Sequence, residues 1–281
     1  MRRLGIGVIV ALVAVAGARP AAAQSLLLDR GEPRGVALEV DVPSLGGGAS
    51  AMLAYAGLTY QVSHQVTFVA ELPFGHASIP AATAPCYVGP CTALEQTAPG
   101  NPYLGVRLGM PWRGVALEIG YRPRALSGSV AWGVAAALDA AAWQGDPDRS
   151  EAFSSTYSSV RAALVASTPA APGLTVRWRA ALVVMTGGDG INAMLDAGLA
   201  ATYVRDRLSA AAAFTYRKPT SEGDEASYRL IGLAAGYRAG RVTPSLFVRF
   251  PLGSAAAWLP QARYSIGVAL GIPLATPSAG F

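Results

Sequence analysis

Few side chains in this 281-residue sequence have the chemistry of a reactive centre. The two cysteines, Cys86 and Cys91, lie in Pro-Cys-Tyr-Val-Gly-Pro-Cys. Thiols this close form a local disulfide in an oxidising compartment. A metal would need more ligands of the right kind, and His76 is the one histidine nearby. The expectation is a Cys86–Cys91 disulfide that pins a loop, with no metal site. The histidines are two, His64 and His76. A serine–histidine hydrolase would have to use one of them. Neither stands beside a plausible nucleophile in a regularly patterned segment, so no catalytic residue is assigned and an enzyme is not expected. Thr186-Gly187-Gly188-Asp189-Gly190 is glycine-rich, but no lysine follows and no helix starts there. It reads as a hairpin turn instead of a phosphate cradle, and no cofactor is implied.

The charged residues carry more information through their positions. Glu39, Asp41, Glu71 and Glu118 fall on the small-residue face of alternating segments in the first half of the chain. Arg161, Arg177, Arg179, Arg217, Arg249 and Arg263 fall on that face mainly in the second half. Arg107, Arg122 and Asp196 depart from this segregation. If these segments close into a barrel, the two signs line opposite walls of the lumen. Such walls could set up a transverse field in a small aqueous pore. They could equally pair across a narrow, filled interior, because buried charges must be paired or hydrated. Both readings stay open at this level.

Alternation is the pattern that positions them. Tyr264–Leu274 reads YSIGVALGIPL, with large apolar residues at every second position and Ser, Gly, Ala or Pro between. Successive side chains of a strand point to opposite faces, so one face is hydrocarbon and the other small. The same pattern recurs in Arg34–Val42, Ser50–Val62, Gln65–Phe74, Pro102–Met110, Gly114–Arg122, Thr156–Ser167, Leu174–Val184, Asn192–Val204, Leu208–Arg217, Ser227–Arg238 and Val242–Leu252. Hydrophobic residues make up 52% of the chain and charged ones only 14%, against about a quarter charged in ordinary globular domains. Mean hydropathy is +0.35. An apolar chain without a spanning helix is suited to an all-β, antiparallel, up-and-down transmembrane barrel of about 12 strands. Connection lengths agree. Those at one end, such as Ser63-His64 and Arg205-Asp206-Arg207, are short, whereas Gly75–Asn101 and Pro123–Ser155 at the other are long, as in outer-membrane barrels. Tyr60, Trp112, Tyr203 and Tyr237 would line one rim, and Phe74, Tyr121, Tyr216, Phe250 and Tyr264 the other. The alanine-rich Val130–Trp143 predicts a short helix in the outer loop after the fifth strand, folded over the mouth or into it.

The N-terminus supplies an address. Arg2-Arg3, the apolar run Leu4–Gly17 and Ala21-Ala22-Ala23 form a secretory signal peptide over residues 1–23, cleaved near Ala23. Residues 24–281 then form a single barrel domain. The net charge of +5 is scattered and makes no basic patch, so nucleic acid is not an expected partner. The signal peptide, the alternating strands, Asn-Pro-Tyr-Leu-Gly-Val-Arg-Leu-Gly at Asn101–Gly109 and the terminal Phe281 together resemble bacterial outer-membrane β-barrel proteins. Asn101–Val106 is similar to a segment of transporter-like barrels of the phenol-degradation pathway family. The resemblance implies a bacterial outer-membrane location, outer-membrane lipids and the secretion and barrel-assembly machinery as partners, and a monomer. The function expected is a passive, porin-like pore or transporter for small solutes. The alternative is a non-conducting structural, adhesive or assembly barrel.

Overall fold

The computed structural model describes residues 26–28, 34–46, 48–81, 93–110, 114–126, 130–187, 190–220, 227–252 and 263–274. Residues 1–23, Cys86, Cys91, Trp112 and Phe281 lie outside the described residues. The strands are β1 (Arg34–Pro43), β2 (Ser50–Gln61), β3 (Val66–Ile79), β4 (Leu94–Pro99), β5 (Tyr103–Gly109), β6 (Val115–Arg122), β7 (Ser158–Ala171), β8 (Leu174–Gly187), β9 (Gly190–Arg205), β10 (Leu208–Pro219), β11 (Tyr228–Tyr237), β12 (Thr243–Pro251) and β13 (Ser265–Pro273). A helix, α1 (Trp132–Gly145), and a 3-10 helix (Pro147–Phe153) sit between β6 and β7.

All pairings in the sheet are antiparallel. Sequential neighbours pair except β4 with β5, and β1 also pairs with β13, from Gly35↔Pro273 to Pro43↔Ser265. Closure removes the unpaired edges that a strand cannot expose to hydrocarbon. The thirteen strands occupy twelve wall positions, because β4 and β5 lie end to end against β3. β3 pairs its first half with β5 and its last six residues with β4. The wall position is broken at Gly100-Asn101-Pro102. Pro102 has no N–H to give to a ladder, and Asn101 turns into the lumen. The expected long connection Gly75–Asn101 is therefore shorter than the sequence suggests. Leu94–Pro99 carries little apolar alternation to betray it as a strand.

Side-chain direction follows the alternation. Leu182 is 42% exposed on the outer face, while its neighbour Val183 is wholly buried. Tyr60, Tyr203 and Tyr237 are exposed toward one rim, and Phe74, Tyr121, Phe250 and Tyr264 toward the other. The short connections are tight turns. Asp206 (φ 55°), Gly173 (φ 76°) and Gly240 (φ 62°) supply the left-handed residues there. The opposite end carries the long connections. Among the described residues no helix is long and apolar enough to cross a membrane, and the spanning is done by strands.

Most of the core lies inside the barrel. α1 enters from the long-loop end and buries Val134, Ala135, Leu138, Ala141 and Ala142 against Leu53, Tyr55, Ala77, Ala98 and Phe153. Its apolar residues are spread around the axis, the pattern of a helix covered on all sides. Alanine keeps its girth below the ~10–12 Å of a helix with long side chains. The helix expected at Val130–Trp143 is thus present, and it is folded into the mouth.

The register predicts a split between neighbours. Leu182→Arg places a guanidinium in lipid, at a cost of about 2–4 kcal/mol near the midplane. It should lower the yield of heat-resistant barrel on refolding into vesicles. Val183→Arg points into the lumen and should leave insertion intact while disturbing the packing of α1 near Trp143. Equal loss of insertion for both would contradict the observed register.

Candidate functional site in the barrel lumen

The lumen is polar by sequence and could not be left that way without partners. Of the residues expected to line it, Glu39, Asp41, Glu71, Glu118, Arg177, Arg179, Arg217 and Arg249 are buried inside the barrel, and the Arg161 side chain is 12% exposed. Arg263 is the exception. It precedes β13, which starts at Ser265, and is exposed. The apolar alternation of that strand begins one residue after it, so the arginine is left at the rim.

The partners of these charges come largely from the segment that follows α1. Asp146-Pro147-Asp148 does turn the chain. Asp146 caps the 3-10 helix by accepting a hydrogen bond from the Asp148 N–H at 3.2 Å, and Pro147 occupies its first turn. What the turn achieves is to hold Asp146, Asp148, Arg149, Ser150 and Glu151 in the middle of the lumen, all buried. The segregated wall charges meet charges of opposite sign here.

On the acidic wall, Arg149 donates to Glu39 at 2.6 Å and lies 2.8 Å from Glu71. Its guanidinium also stacks 4.3 Å from the centre of the Tyr55 ring. Arg249 donates to Glu39 at 2.6 Å and to Asp41 at 2.8 Å. Glu71 also accepts from Arg122 at 2.9 Å. On the basic wall, Arg217 donates through Nε to Asp196 at 2.6 Å and through Nη1 to the Pro147 carbonyl at 2.6 Å. It also meets Ser150 and Glu151. Arg179 pairs with Asp148. Arg161 reaches Asp196 at 3.3 Å and lies 4.0 Å from Glu151. Glu118 is held apart from the inserted segment, by Arg107 and by the Tyr103 hydroxyl at 2.7 Å. Arg177 donates to Thr202 Oγ1 at 3.3 Å. Arg177 and Arg179 therefore do not face Glu39 and Glu118. Those acids have nearer cations on their own side of the barrel.

Asn101, at the break in the wall, ties the end of the inserted segment to the strands. Its side-chain amide donates to the carbonyls of Glu151 and Ser154 at 3.0 and 2.7 Å, and its Oδ1 accepts the N–H groups of Ala125 and Leu126. Its own N–H donates to Ala152 O at 2.6 Å, and its carbonyl accepts from Arg122 at 2.6 Å. Gly100 is needed beside it, because a Cβ there would collide with the Ala152 carbonyl.

Burial disfavours the ionised form of every carboxyl in the segment, and the neighbours decide the outcome. For Asp148, Arg179 and Arg161 outweigh burial and hold the carboxyl below its ordinary value. For Glu151, Arg217 and Arg161 do the same. Asp146 is pushed up to about 7 by burial, against the pull of Arg249 and Arg149. Those cations stand at 3.4 and 3.7 Å from its Oδ2. Asp139, on α1, is pushed up to about 7 by burial and by Glu151.

The half of the lumen toward the short turns is filled differently. Leu26, Leu27 and Leu28 are buried against Ala200, Ala213 and Phe247. Gly198 and Gly232 make room for Leu26 and Leu27, whose side chains occupy the space a Cβ would need. A cavity of about 20 Å³ remains beside Leu27 and Leu28, room for about one water.

His76 meets a threonine hydroxyl across a strand pair. His76 Nδ1 lies 3.0 Å from Thr97 Oγ1, and its Nε2 lies 3.5 Å from Glu95. The extension of β3 pairs with β4 and sets His76 opposite Thr97 and Ser78 opposite Glu95. With the Glu95 side chain 70% exposed, this is a cross-strand polar cluster on the surface.

Neither a protein-family model nor a curated protein sequence matches the chain. Among solved structures, an outer-membrane channel from Pseudomonas putida F1 superposes with a TM-score of 0.56 at 9% identity, over 85% of this chain and 96% of that one. The NanC porin superposes with a TM-score of 0.54 at 8% identity, over 85% of this chain and all of the porin. At such identities the likeness is one of architecture, and the chain has the fold of the outer-membrane β-barrels.

Proposed function

We propose that the protein is an outer-membrane channel for small polar solutes in which residues 130–154 act as a gate. On this reading the short turns face the periplasm, the signal peptide of residues 1–23 is removed during export, and the long connections, including Cys86 and Cys91, face outward. The observation that carries the proposal is how the inserted segment is held. Ion pairs and hydrogen bonds fix it to walls that carry charge of their own, as between Arg217 and Asp196 or Arg249 and Asp41. Buried ion pairs return little net stability after desolvation, so such a segment is specific in its seat and weakly bound to it. The fold likeness to a channel and a porin agrees with this reading. The filled lumen favours a second reading, a barrel that never conducts and presents its loops as a working surface.

Conductance in planar bilayers separates the two. β6 and β7 pair directly, Arg122 opposite Ser159, so a short Gly-Ser linker can replace Ala131–Ser154. The native chain should show low or intermittent conductance and the linker variant a steady, larger one. Silence of a properly folded linker variant would favour the non-conducting barrel.

Docking should also depend on pH. The Asp139 and Asp146 carboxyls sit at about 7 in the docked segment, against 3.8 for an unperturbed aspartate. The docked state therefore binds more protons between those values. Its extra stability is present at low pH and is lost as pH rises through 7. Asp148 and Glu151 are shifted the other way and stay ionised across this window. Mean conductance should rise several-fold from pH 5.5 to pH 8, and Asp139→Asn with Asp146→Asn should flatten the rise. A conductance that falls over this range would contradict the gate.

A further inference from the structure

The basic wall is out of balance once the inserted segment is set aside. Arg161, Arg179 and Arg217 come from β7, β8 and β10 and converge on the 3-10 helix. Among the described residues the wall itself offers this trio the carboxylate of Asp196, which holds Arg217 and Arg161, whereas Arg179 pairs with Asp148 of the segment. The remaining positive charge is met by Asp148 on Arg179 and by Glu151 on Arg217, with Arg161 between them. The acidic wall is better matched, since Glu39, Asp41 and Glu71 already have Arg249 and Arg122. It loses only Arg149 when the segment leaves. Guanidinium groups in a confined site cannot go unpaired without a large desolvation cost. Their planar forks fit carboxylates in particular.

We infer that Arg161, Arg179 and Arg217 form a solute-binding site for small dicarboxylates, and that Asp148 and Glu151 occupy it as a built-in stand-in for the solute. The site rests on the channel reading and gives it a substrate class. Two carboxylates of one molecule replace the two of the inserted segment, so binding of solute and docking of the segment exclude one another in space. A monocarboxylate satisfies only one of the two seats. A purely cationic solute meets the wrong wall.

Equilibrium dialysis of radiolabelled glutarate against the full chain in detergent tests the site without requiring conduction. Glutarate should bind at least about tenfold more tightly than butyrate, the value of one additional charge-assisted hydrogen bond. Asp148→Asn with Glu151→Gln, which vacates the seats but keeps the segment, should tighten glutarate binding. Arg179→Gln should weaken it. Equal binding of butyrate, or indifference to both sets of substitutions, would overturn the inference. In bilayers glutarate should raise the conductance of the native chain by displacing the segment. A conducting linker variant whose currents and dialysis show no glutarate effect would overturn the dicarboxylate site and leave the channel standing. Glutarate binding in a protein that never conducts would overturn the channel and leave the site.

Discussion

Charge brought into a narrow lumen has to be matched there, and the interior of this barrel is arranged around that requirement. The guanidinium of Arg217 is wholly buried and is satisfied only by combining a wall acid, a hydroxyl, a main-chain carbonyl and a carboxylate of the inserted segment. Arg249, on the opposite wall, is held by the wall acids Glu39 and Asp41, with Asp146 of the inserted segment at 3.4 Å. Removing one member of such a network leaves an unpaired buried charge, which costs about 3–5 kcal/mol. The network therefore dictates the position and orientation of the segment more strongly than it contributes net stability.

The strands are adapted to receive that segment. The break at Gly100-Asn101-Pro102 gives up ladder bonds at one wall position and exchanges them for bonds to the inserted chain through Asn101. Without the break, the carbonyls of Glu151, Ala152 and Ser154 would lack these donors deep in the lumen, an expensive arrangement. The alanines of α1 serve the same end, since a bulkier helix would not fit beside the 3-10 helix inside one barrel.

The two halves of the lumen are filled by different physical means. The long-loop half is closed by a helix and a charged turn, whose hold responds to protons and to competing ions. The short-turn half holds Leu26–Leu28, whose hold is apolar burial, largely against small wall residues. The first kind of contact suits a part that must come and go in water. The second is indifferent to pH and salt and suits a part that stays or moves as a unit.

Much of the barrel was legible in the sequence. A period of two with large residues on one face determines which side chains meet lipid, and the contrast between Leu182 and Val183 bears this out. Connection lengths, the aromatic positions that are described and the alanine-rich helix were legible for the same reason, because each is set by local pattern. The inward direction of Glu39, Asp41, Glu71, Glu118 and most of the arginines could also be read, since pleating alone decides it. Arg263 failed that reading because it lies just before its strand begins. Pairing was not legible. Asp148 meets Arg179, and Glu39 meets Arg149 110 residues away. No local rule reports how far a connection folds back into the space its strands enclose. Four acids and one arginine between Asp139 and Glu151, opposite a wall rich in arginine, were the available signal. Alternation determined which charges face inward. Closure of the barrel around the inserted segment decided what they bind, because electrostatic partners are chosen by distance in space and not along the chain.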